Sequence, residues 1–63
     1  MSQTAAILSH LRRAPITPLQ ALDKYGCLRL AARIADLRER GHNIETVMVD
    51  HGEKRFARYS LKA

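Results

Sequence analysis

Arg29, Arg33 and Arg40 recur at spacings that stack side chains along one flank of a helix, with Ala32 and Asp36 between them. A guanidinium fork matches two phosphate oxygens or the O6/N7 edge of guanine, and a core-facing helix has no use for it. A second cationic set follows near the C-terminal end of the chain. Residues 54–62 hold Lys54, Arg55, Arg58 and Lys62 without an acid, whereas residues 42–53 hold Glu45, Asp50 and Glu53 without a lysine or arginine. The chemistry these residues offer is recognition of a polyanion. The competing account of the arginines is a solvated helix face, and of the lysines and arginines further on, protection of an exposed strand edge.

Other chemistries find little support. His10, His42, His51 and Cys27 show no CxxC or HExxH spacing, so no metal site is expected, and Cys27 reads as a small core residue. Three glycines make no phosphate-cradling loop, and no carboxylates stand at catalytic spacing. No enzyme activity, cofactor or small-molecule substrate is expected.

The elements that must carry the basic residues can be read from their boundaries. Gln3 to Arg13 reads as a helix capped by Ser2, with Ile7, Leu8 and Leu11 as its buried stripe; Arg12 and Arg13 complement its dipole, and Pro15 ends it. Ile16 is expected to pair briefly with a later strand. Thr17 is an N-cap, Pro18 suits the first helical position, and Gln20 completes a capping box. The resulting short helix, with Leu19, Ala21, Leu22 and Tyr25 as its apolar stripe, ends at Gly26. The next helix spans Cys27 or Leu28 to Arg40 and lacks a good cap. Its inner side is expected to hold Cys27, Leu30, Ala31, Ile34 and Leu37, and its outer side Arg29, Ala32, Arg33, Asp36 and Arg40.

After Gly41 the pattern changes from helical to alternating. IETVMVD and KRFARYSL, separated by the turn signal Asp50-His51-Gly52-Glu53, predict a β-hairpin. In the returning strand Ala57, Tyr59 and Leu61 are expected to face inward, leaving Phe56 partly exposed. The outgoing strand is apolar in both registers, so its facing stays open.

The 63 residues make one domain, 1–63, with room for only a small core. A net charge of +5 and a sequence pI near 10.2 predict a basic protein. No apolar run reaches the ~18 residues of a membrane span, no leader is evident, and a lone cysteine suits a reducing cytoplasm.

ITPLQAL at 16–22, the run from Tyr25 to Ile44 containing GCLRLAARIADLRERG, and KRFARYSL at 54–61 resemble a family of short winged helix-turn-helix domains of bacterial, phage and prophage proteins. The resemblance covers nearly the whole chain. It implies an α+β, mainly α fold: three helices followed by a two-stranded hairpin, the wing. It also implies binding of double-stranded DNA by insertion of helix 28–40 into the major groove. Carried onto this chain, the recognition positions are Leu28, Arg29, Ala32 and Arg33, with Asp36 and Arg40 farther along. Lys54, Arg55 and Arg58 would hold the sugar-phosphate backbone. Asp50 and Glu53 depart from that pattern, because they would repel phosphate at the wing tip. A small transcriptional regulator or phage accessory factor is the expected role, with a homodimer or partner supplying specificity. The alternative is a protein-interaction module, for which Leu28, Met48, Val49 and Phe56 would form the apolar patch.

Overall fold

The helix boundaries follow from local chemistry that the computed structural model, which describes residues 3–62, makes explicit. Helix α1 spans Gln3–Leu11, α2 spans Pro18–Tyr25 and α3 spans Leu30–Glu39; strands β1, Ile44–His51, and β2, Lys54–Leu61, form the antiparallel hairpin. The architecture is the expected one, three helices and then a two-stranded wing. The expected Ser2 cap lies outside the described residues.

Helix α2 starts where its capping signals place it. The Thr17 Oγ1 accepts from the Gln20 amide at 3.2 Å, and the Gln20 side chain accepts from the Thr17 amide at 3.1 Å, closing the capping box ahead of Pro18. Gly26 stops the helix with φ +63, a left-handed conformation that costs a residue with a Cβ about 1–2 kcal/mol. Its amide and that of Cys27 close the last turn on the carbonyls of Leu22 and Ala21.

Several expectations about boundaries and faces need correction. Helix α1 ends at Leu11, so Arg12 and Arg13 lie in the following turn, not in the helix. Helix α3 begins at Leu30, two to three residues later than expected. Arg29 is its N-cap, with φ −124 and ψ 65 and no capping side chain, so Cys27, Leu28 and Arg29 belong to the turn. In α2 only Ala21 is buried and Tyr25 half-buried. Leu19 is 75% exposed, and Leu22 also faces solvent, because a helix of two turns laid against α1 buries a strip one residue wide. Ala31 is exposed for a similar reason, since the core strip of α3 is Leu30, Ile34 and Leu37.

The core gathers Ile7 and Leu11 from α1, Ile16, Ala21, Cys27, the α3 strip, Ile44 and Tyr59. Leu8, Ala57 and Leu61 pack against it as half-buried neighbours, so the inward set of β2 faces as expected. The open question of β1 is settled by its register. Val47 stands opposite Arg58 and Val49 opposite Phe56 on the outer face, whereas Ile44, Thr46 and Met48 share the face of Leu61, Tyr59 and Ala57; of these three only Ile44 is buried, and Thr46 and Met48 run out past the core into solvent. Both strands run to the edges of a two-residue turn, Gly52-Glu53, one residue beyond the expected end of β1. Gly52 takes φ +65 at the first turn position, which fits the right-handed twist of a hairpin.

Two interactions absent from the sequence reading tie these pieces together. Buried His10 bridges α2 and the α1–α2 connection: its Nδ1 lies 2.9 Å from the Tyr25 hydroxyl and its Nε2 3.1 Å from the Pro15 carbonyl. A carbonyl only accepts, so Nε2 carries the proton and, in the neutral ring, Tyr25 donates to Nδ1. Arg38 reaches from α3 to β1, where its Nη2 donates to the Ile44 carbonyl at 2.7 Å and to the Thr46 hydroxyl at 2.9 Å.

Candidate nucleic-acid interface

The α2–α3 turn and the first half of α3 bring Leu28, Arg29 and Arg33 to one groove of about 280 Å³, completed by Gln3 and Gly26. Leu28 is 83% exposed and Arg29 is exposed too, because a left-handed Gly26 and an uncapped helix start turn both side chains outward. Gln3 closes the groove from the α1 side by donating to the Gly26 carbonyl at 3.3 Å.

Arg33 is less free than its neighbour. Its Nη2 lies 3.2 Å from the Asp36 carboxylate, its Nε is buried without a partner among the described residues, and Ala32 beside it is half-buried. The flank of α3 that carries Ala32, Arg33 and Asp36 is therefore partly covered. The more open surface of α3 holds Ala31, Ala35 and Glu39, and Ala31 is thus on the solvent side and not the inner one. Arg40 stands at the C-cap, exposed.

The wing carries a separate cluster. Lys54 and Arg58 lie on the outer face of β2 with Phe56, while Arg55 shares the opposite face with Asp50 and bonds to it at 2.7 Å. Asp50 thus neutralises one wing arginine, and Lys62 is similarly occupied by Glu45 at 3.1 Å. Among the described residues, Lys54 and Arg58 have no acidic partner within bonding distance. Lys54 and Arg58 stand on the face of β2 opposite its core-side residues Tyr59 and Leu61, whereas Arg29 and Arg33 line the groove at the start of α3, so the wing cations and the α3 arginines count as two clusters. A third cationic group, Arg13 with Lys24, lines a groove of about 220 Å³ with His10 and Ala14 where α1 and α2 end. It went unread in the sequence because the two residues meet only when the helices pack.

The apolar patch expected of an interaction module does not assemble. Met48 lies on the opposite face of the hairpin from Val49 and Phe56, and Leu28 belongs to the groove beside α3. Phe56 instead meets Thr17, Pro18 and Leu19 around a cleft of about 240 Å³.

The described residues include no helix long and apolar enough to cross a membrane. No curated protein and no solved structure shows significant similarity to the chain. A family model described as a winged helix-turn-helix domain matches residues 2–63, and such domains are in general DNA-binding and not catalytic. With three helices, the turn at Gly26 and a two-stranded wing in the matching order, this chain belongs to the winged helix-turn-helix domain family.

Proposed function

We propose that this domain binds double-stranded DNA in the cytoplasm, as a small transcriptional regulator or a phage-type accessory factor. The observation that carries this reading is the uncapped start of α3, where Leu28 and Arg29 project, exposed, beside Arg33. A helix lying in the major groove meets base edges mainly with its N-terminal residues. Arg29 is the base-reading side chain, Ala32 approaches a thymine methyl, and Arg33 reaches the groove on release from Asp36. Arg40, Lys54 and Arg58 hold phosphates, with Arg55 as a secondary contact once it leaves Asp50.

Selection of the purified domain on a random double-stranded DNA pool, at low and near-physiological salt, tests the reading. An enriched motif that survives the higher salt is the expected result. Weak binding without enrichment, lost on adding salt, would overturn sequence reading by α3. A second reading rests on the cleft of Thr17, Pro18, Leu19 and Phe56, an exposed apolar feature that a DNA-binding role leaves unused. On that reading the domain captures an apolar segment of a protein partner.

A further inference from the structure

The hydrogen-bonding direction of β1 follows from a bridge on the far side of the wing. Ile16 and Tyr59 exchange both backbone bonds, each 2.9 Å, so the amide and carbonyl of Tyr59 point away from β1. In an antiparallel ladder these groups alternate in direction along the strand. Arg58 and Ser60 therefore bond to β1, and by register their partners Val47 and Glu45 are the β1 residues that face β2. Thr46, Met48 and Asp50, like Ile44, must turn their amides and carbonyls outward. The Ile44 carbonyl confirms the assignment, for it is the one taken by Arg38 from outside the sheet.

Beyond that clamp the edge is bare. No other hydrogen bond reaches the outward backbone groups of Thr46, Met48 or Asp50 among the described residues. Natural edges are blunted by lysine, proline or a bulge. Strand β1 has none of these, its acids Glu45 and Asp50 are held by Lys62 and Arg55, and its register with β2 is continuous over all its residues. The lysines and arginines of the wing all sit on β2 or just past it, away from the edge that is open.

We propose that this edge pairs with the same edge of a second copy of the chain, making a four-stranded antiparallel sheet about a two-fold axis at Met48. A two-fold axis normal to the sheet must pass through a residue paired with itself. Centring at Met48 uses the free groups fully: Met48 bonds to Met48, and Thr46 to Asp50 on either side. It also sets Val47 opposite Val49 and Glu45 opposite His51, an apolar pair and an acid facing a hydrogen-bond donor. Centring at Val47 would spend Asp50 on Ile44, whose carbonyl Arg38 already holds. Centring at Val49 would bring Glu45 against Glu53. The complementarity of this one strand to itself is what selects a second copy over an unrelated extended peptide. The inference stands independently of DNA binding.

Cross-linking and hydrodynamics on the full chain decide it. In the Met48 register two copies of a cysteine at position 48 face each other about 5.5 Å apart, within disulfide reach. Cysteines at position 46 would be offset by about 13 Å along the strands. Met48→Cys is expected to form a disulfide-linked dimer under mild oxidation, while Thr46→Cys and the wild type, whose Cys27 is buried, do not. Sedimentation equilibrium of the wild type should show a monomer–dimer equilibrium. Met48→Pro should raise the dimer dissociation constant at least tenfold with the helical circular dichroism retained, since the lost amide points outward and bonds nothing within the copy. A wild type that stays monomeric at millimolar concentration overturns the proposal, as does a proline variant that dimerises normally. Equal cross-linking at positions 46 and 48 overturns the register.

Discussion

Arg33 shows how a residue type can be right for a chemistry and still be held back from it. Its guanidinium stands on the expected flank of α3 but is tied to Asp36, and the pair is only partly screened, with side chains 35% and 42% exposed. Such a pair contributes at most about 1 kcal/mol to stability. Replacing Asp36 by Asn should therefore cost little folding stability and strengthen DNA binding, with the log–log salt slope steepening by about 0.9 if Arg33 gains a phosphate. Isothermal binding at several salt concentrations checks this, and an unchanged slope would mean Arg33 stays off the backbone. Arg29, bonded to no acid among the described residues, carries the larger expectation. Arg29→Ala should cost roughly 1–3 kcal/mol on the preferred sequence and relax selectivity at the base it reads. His10 poses a different residue-scale question, since its ring nitrogens are committed to Tyr25 and Pro15 inside the fold. Tyr25→Phe leaves Nδ1 without its donor and should lower stability by roughly 1–2 kcal/mol, read from the urea midpoint at constant m-value.

At the scale of elements, α2 and α3 contrast in how they begin. Helix α2 has reciprocal side-chain and backbone bonds at its start, so Thr17→Ala should destabilise the domain by about 1 kcal/mol in the same denaturation assay. Gln20→Ala added to it should cost less than Gln20→Ala alone, because the two bonds belong to one box. Helix α3 begins without a cap, so no local signal marks its first residue, and Cys27 and Leu28 continue the helical spacing in the sequence without being part of the helix. The absent cap leaves Arg29 at a helix end instead of on a helix face. Arg38 supplies the opposite service at the other end, joining α3 to β1 through Ile44 and Thr46.

For the whole molecule, the net charge of +5 is divided among the α3 start, the wing and the junction of α1 and α2. Separate clusters predict separable contributions to binding. Arg58→Ala should weaken all DNA sequences alike and reduce the salt slope by about one, whereas a loss confined to one sequence would contradict a backbone role. A domain this small buries a limited core and presents few contacts from one copy. Specificity from two copies would then be expected to scale with their pairing.

What the residues determined by themselves was mostly local: the α2 capping box, the stop at Gly26, the hairpin turn at Gly52, the inward set Ala57, Tyr59 and Leu61, and the order of helices and strands. Each rests on interactions between residues a few positions apart, or on a period that a single face imposes. The tertiary structure decided which leucines of α2 stay in solvent, which face of β1 lies on the core side, that Asp36 and Asp50 occupy Arg33 and Arg55, and that Lys54 and Arg58 share the outer face of the wing. Those outcomes depend on which surfaces meet after packing, and a hydrophobic or charged residue looks the same in the sequence whichever neighbour it finds.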